Sequence, residues 1–223
     1  MKTKSLSLNV SSSIGSVSAE AVIPTKSKGI ITLAHGAGAG MNHSFMVTLA
    51  QSLAEKDIAT MRFNFPFAEN KKGRPDLPPV AHQTIEAAID QAKKLFPELP
   101  LFVAGKSFGG RMTSQYLSAH HDDAVKGIIF YGFPLHPPGK PSVERADHLK
   151  EVQVPMLFLQ GTKDELATWA LITSVCSKLP LAELVKIERA NHAFKAGKTD
   201  VMQILVHETV DWIGRITSGH AKK

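Results

Sequence analysis

Residues 101–111, LFVAGKSFGGR, carry two chemistries in one overlap. Gly105-Lys106-Ser107 is how a phosphate-binding loop ends, with its lysine on the phosphate. Gly105-x-Ser107-x-Gly109 is the pattern of a strand–turn–helix elbow, which presents a serine hydroxyl for attack on a carbonyl. A phosphate loop, G-x-x-x-x-G-K-[ST], needs a glycine five residues before Gly105, and Pro100 stands there. Leu101, Phe102, Val103 and Ala104, in between, read as an apolar strand rather than a flexible cradle of amides. The elbow meets no such conflict. Gly105 and Gly109 remove side chains that would collide across the turn, Ser107 takes the strained position, and Lys106 is an incidental variable residue.

A serine hydroxyl attacks only if a base takes its proton and a carboxylate orients the base. Two further strand ends offer these groups. The apolar run VPMLFLQ is followed by GTKD, ending in Asp164, and LVKIE is followed by RANH, ending in His192. Singly, Asp164 reads as a helix N-cap, and His192 is one of 10 histidines. Together, in the order serine, acid, histidine at three strand ends, they point to nucleophilic acyl chemistry. Glu165 is the second candidate for the acid. The oxyanion of such a reaction needs backbone donors. Phe108 N–H, opening the helix after Ser107, is one, and that helix's dipole assists it. The loop HGAGAG (35–40) supplies the other, from Ala37 or, alternatively, Gly38. That loop does not fit a dinucleotide fingerprint, because G-x-G-x-x-G would need glycine at Met41 or at His43.

Positioning these groups requires alternating elements. Residues 5–10 and 16–23 alternate and suggest a strand pair. GIITLAHG, IATMRFNF, LFVAG, GIIFYG, VPMLFLQG and LVKIE are compact apolar runs of the kind buried on both faces of a parallel sheet. Helical spacing separates them, as in Phe45, Met46, Leu49, Leu53, then Ile85, Ala88, Ile89, Ala92, and finally Val201, Ile204, Leu205, Trp212. The expected fold is α/β, three-layered, with a mostly parallel sheet of about seven to eight strands and helices on both faces. No repeat or linker divides residues 1–223, so one domain is expected. There is no large insertion to make a lid. Two Pro-rich loops, 66–79 and 134–141, are the long irregular segments.

The formal charge of +6 comes from scattered lysines and arginines without interleaved aromatics, which argues against nucleic acid. No run reaches the roughly 18 apolar residues of a membrane span. The N-terminal MKTKSLSLNVSSSIG lacks the apolar core of a signal peptide. A single cysteine, Cys176, forms no internal disulfide and fits a cytoplasmic setting. Expected partners are a small-molecule acyl substrate and at most a second copy in a homodimer, with no membrane, metal or organic cofactor.

LAHGAGAG, GKSFGGR, GTKD and ANHAF, in this order, resemble the α/β-hydrolase superfamily, in its dienelactone-hydrolase-like type. The similarity runs from about Ile30 to the last helix. MRFNFPF and YGFPLHPPGK further resemble the branch of testis-expressed hydrolase-like proteins and the hydrolase-like subunit of the NSL histone acetyltransferase complex. The resemblance implies Ser107 as nucleophile, Asp164 as acid and His192 as base, and no particular substrate. Dienelactone hydrolases have a cysteine where this chain has Ser107, so lactone hydrolysis is not implied. Because the branch includes a scaffold subunit, a non-catalytic binding role on the same fold is the alternative. Around the site, His43, Arg62, Tyr131 and His136 are candidate pocket residues together with Gly38. Arg62 is otherwise expected in an ion pair with Glu69, His43 in a capping role, and the loop carrying His136 as a cleft wall.

Overall fold

A computed structural model describes residues 1–219. Eight strands form one sheet: β1 Lys2–Ser11, β2 Gly15–Ile23, β3 Gly29–Ala34, β4 Ile58–Phe63, β5 Leu101–Lys106, β6 Val125–Tyr131, β7 Met156–Gly161 and β8 Ala182–Ile187, in the order β1-β2-β4-β3-β5-β6-β7-β8. The hairpin β1–β2 and the β2–β4 pair are antiparallel. From β4 to β8 the pairing is parallel. The antiparallel hairpin falls where the sequence alternates, at 5–10 and 16–23, and the parallel pairs fall on the continuous apolar runs.

Strand side chains alternate between two cores. Ile31, Leu33, Phe102 and Ile129 face α1 (Ser44–Ala54) and α6 (Val201–Thr217), where Leu49, Leu53, Leu205 and Trp212 meet them. Ile30, Val103, Ile128 and Met156 face the other layer, where α3 (Pro78–Leu95), α4 (Phe108–Ala119) and α5 (Trp169–Cys176) supply Ile85, Ile89, Met112 and Ile172. The short α2 (Pro66–Glu69) occupies the start of the first Pro-rich loop, and α3 begins inside its end, on Pro78.

The sheet gathers the C-terminal ends of β3, β5, β7 and β8 along one edge, where open α/β sheets build their sites. Much of the excursion from β6 to β7 packs away from that edge. It coils into a 3-10 helix, Glu144–Glu151, against α4, pinned by a 2.8 Å hydrogen bond between Ser114 Oγ and His148 Nε2. No helix among the described residues is long and apolar enough to cross a membrane.

Candidate active site

The elbow follows from close approach. β5 enters, and α4 leaves directly over it. A Cβ on Gly105 would lie 2.2 Å from Gly110 N, and one on Gly109 would lie 2.4 Å from Ala34 O. Neither position admits a side chain. Between them Ser107 takes φ 51° and ψ −115°, a left-handed conformation uncommon outside glycine. Its N–H bonds Tyr131 O on the neighbouring strand at 3.3 Å. The result is a serine hydroxyl at the top of the sheet and at the mouth of a cleft.

His192 Nε2 lies 2.8 Å from Ser107 Oγ, and His192 Nδ1 lies 2.8 Å from Asp164 Oδ2. A carboxylate can only accept, so Nδ1 carries the ring proton and Nε2 is free to accept from the serine hydroxyl. Asp164 is buried, with two further donors: Gln160 Nε2 to Oδ2 at 2.7 Å and Leu166 N–H to Oδ1 at 2.8 Å. Glu165 is not at the ring. Its Oε2 accepts the main-chain N–H of His192 at 3.3 Å.

A cleft of about 370 Å³ opens on these groups. Gly36, Ala37, Gly38 and Ala39 form one side, with His43, Phe45 and Met46 beside them and Leu166 and Ala193 opposite. The Ala37 N–H makes no backbone hydrogen bond among the described residues, and Phe108, as the first residue of α4, has no intrahelical acceptor for its own. His35 props this loop from beneath. Its Nε2 accepts from Phe65 N at 3.0 Å, so its Nδ1 donates to Gly36 O at 2.8 Å. Burial pulls the His35 pKa down to about 4, which keeps the ring neutral and this bond pattern intact near pH 7.

Of the other pocket candidates, Gly38 and His43 line the cleft, and His43 also caps α1 by accepting from Phe45 N. Three do not reach it. Tyr131 is fully buried with its hydroxyl on Thr209 Oγ1 at 2.9 Å, because the last residue of β6 points to the α6 side of the sheet. Arg62 is buried against Glu20 and Met41 O, and Glu69 instead binds Ser18 and Asn64. His136 is buried and ties its loop to Thr168 through Nε2, so loop 134–141 braces the β7 end and leaves the cleft wall to loop 36–39 and α1.

Two residues at the site carried no recognised sequence signal. Lys106 lines the cleft, donates from Nζ to His192 O at 2.7 Å and lies 5.1 Å over the Phe194 ring, so it is not incidental. Gly132, at φ 73°, closes against it: a Cβ there would lie 3.3 Å from Lys106 Nζ, 3.5 Å from Asp164 Oδ2 and 3.6 Å from His192 Cε1. The glycine in GIIFYG, just past a strand that points at the site, was the available clue. Among the described residues, no group of three or more His, Cys, Asp or Glu is gathered as metal ligands are.

A family model described as "Alpha/beta hydrolase domain" matches residues 27–212. The chain belongs to that family. Its fold is similar to a dienelactone hydrolase from Anabaena variabilis, with a TM-score of 0.79, 19% identity and coverage of 96% of this chain and 97% of that one. It is also similar to Est1E from Butyrivibrio proteoclasticus (TM-score 0.75, 16% identity, 96% and 99% covered). A third relative is an α/β serine hydrolase without lid from Xanthomonas campestris (TM-score 0.70, 18% identity, 100% and 97% covered). At these identities the likeness is one of fold.

Proposed function

We propose that this protein is a serine hydrolase that cleaves an ester, thioester or related acyl bond through an acyl-enzyme. The observation that carries this reading is the unbroken chain Ser107 Oγ–His192–Asp164, with both links at 2.8 Å. Ser107 Oγ attacks the acyl carbon while His192 Nε2 takes its proton. The oxyanion is held by the Phe108 and Ala37 amides. His192 returns the proton to the leaving group, then takes one from water, which attacks the acyl-enzyme; the bond to Ser107 Oγ breaks, His192 gives that proton back to the serine oxygen, and the acid is released. Asp164 keeps the imidazole in the accepting tautomer throughout. A binding protein has no need to keep all three groups in hydrogen-bonding order at the mouth of a cleft, which weighs against that alternative.

Ala37, Ala39, Phe45, Met46, Leu166 and Ala193 give the cleft an apolar lining, which favours an uncharged acyl group. Within the family, RFNFPF and PLHPPGK support placement in the branch of testis-expressed hydrolase-like proteins. A cytoplasmic setting goes with this reading, supported by the single, buried thiol of Cys176, whose pKa burial raises to about 12.

Fluorophosphonate labelling tests the nucleophile: the wild type is labelled and Ser107→Ala is not. A folded wild type that takes no label rejects the hydrolase. A panel of p-nitrophenyl esters then reads the acyl preference, with neutral acyl groups turned over faster than carboxylated ones of equal length.

A further inference from the structure

The histidine that the proposed chemistry needs sits on irregular backbone. It lies in neither β8 nor α6, and Arg189 and Phe194 around it take φ of 60° and 59°. No strand or helix hydrogen bonding therefore holds its peptide groups. Side chains from two other strand ends hold them instead. Glu165 Oε2 accepts the His192 N–H at 3.3 Å, and Lys106 Nζ donates to the His192 C=O at 2.7 Å. The second is a charge-assisted bond, the stronger kind.

The same ammonium lies 5.1 Å over the Phe194 ring, and Phe194 stacks on Phe45 at 5.8 Å with 12° between the planes. Phe45 lines the cleft. One cation thus ties the base to an aromatic pair behind the acyl wall. An aliphatic side chain would fill the same channel without desolvating a charge, so what the ammonium adds is its grip on the loop. Gly132, with no side chain, leaves room for it beside Asp164 and His192.

We propose that Lys106 is a positioning residue for the His192 base, with Glu165 as its counterpart on the other side of the same peptide. This rests on Ser107 being the nucleophile. A base displaced by about 1 Å loses on the order of a hundredfold in rate. The charged and titratable groups facing Lys106 are Asp164 and Glu165 from the β7 end and His192 from the β8 end, with His43 across the cleft. Burial lowers the Lys106 pKa to about 8 against the pull of both carboxylates. Above that pH the group is an amine, and its bond to the His192 carbonyl loses the charge that strengthens it.

The test follows covalent labelling by a fluorophosphonate, in which Ser107 Oγ bonds to phosphorus, fluoride leaves and His192 takes the hydroxyl proton. The maximal labelling rate and the half-saturating concentration are measured from about pH 6 to 10, with melting curves to establish that each variant folds. For Lys106→Met we expect a maximal rate lower by about tenfold or more, with half-saturation within about twofold of the wild type. The wild-type rate falls as pH rises through about 8, and the variant lacks that fall. Glu165→Ala is slower than the wild type, and Glu165→Gln, whose amide oxygen still accepts from His192 N–H, recovers the rate. Wild-type labelling by Lys106→Met, or a fall near pH 8 that survives in it, overturns the proposal. Should that variant not fold, a wild-type rate that stays flat through pH 8 overturns it as well. Failure of the underlying reading looks different: the wild type takes no label, or takes it equally after Ser107→Ala.

Discussion

Asp164 shows how much one buried carboxylate is asked to do. It accepts from Gln160, from the Leu166 amide and from His192 at once, and its side chain is 1% exposed. An asparagine has nearly the same shape but also offers an N–H, which would favour the wrong tautomer of the imidazole. Asp164→Asn should therefore remain folded while turnover of a p-nitrophenyl ester falls by up to about 10⁴. Near-normal turnover in that variant would assign the acid elsewhere. Glu165→Ala, by contrast, should cost far less, because Glu165 meets the histidine's main chain and not its ring.

The elbow is the element most sensitive to a single methyl group. On Gly109 a Cβ would stand 2.4 Å from the carbonyl of Ala34, so β3, β5 and α4 cannot keep their spacing. Gly109→Ala is expected to lower the melting temperature by about 10 °C, roughly 3 kcal/mol for a chain of this size, or to prevent folding. Gly132→Ala acts at the end of β6. There a positive φ of 73° and a 3.3 Å approach to Lys106 Nζ combine, so the variant should lose stability by on the order of 1–2 kcal/mol and lose labelling rate as well. A Gly132→Ala protein with wild-type melting and labelling would show that Gly132 does not space these groups.

For the molecule as a whole, neutral histidines contribute to the acid limit, and two of them carry the largest shifts. Burial lowers both His35 and His148 to about 4 from an ordinary 6.5, and Arg111 nearby adds to the shift at His148. In the unfolded chain they take up protons below about pH 6.5, whereas in the folded chain they do so only near 4. The unfolded state thus binds more protons across that window. Stability is fully present above 6.5 and is lost as pH falls toward 4, at up to about 3 kcal/mol for the buried His35 and well below that for His148, whose partial exposure lets solvent screen the charge. Urea midpoints at about pH 7, 5.5 and 4.5 should fall in that order, and His148→Gln should flatten the trend. An unchanged slope in His148→Gln would remove that residue from the account. Lys106 acts on the other side. Its folded pKa of about 8 lies below the free value of 10.5, so its burial cost is relieved as pH rises between them.

By itself the sequence determined the strands, their alternation with helices, and the residues at their ends. Short apolar runs closed by glycine or a polar turn mark where a buried parallel strand stops. A parallel sheet then brings such ends together whatever lies between them. That is why Ser107, Asp164 and His192, far apart in the chain, were legible as one group. Tertiary structure alone decided which side chains face which layer and what they meet there. Tyr131 ends a strand beside the site, but the alternation of β6 turns it toward Thr209. Arg62 pairs with Glu20 rather than Glu69 because the order puts β2 beside β4 and their register sets those two residues opposite each other. Lys106 looked like filler inside a serine motif. Its partner is a carbonyl 86 residues away, and a backbone oxygen has no letter in a sequence to announce it.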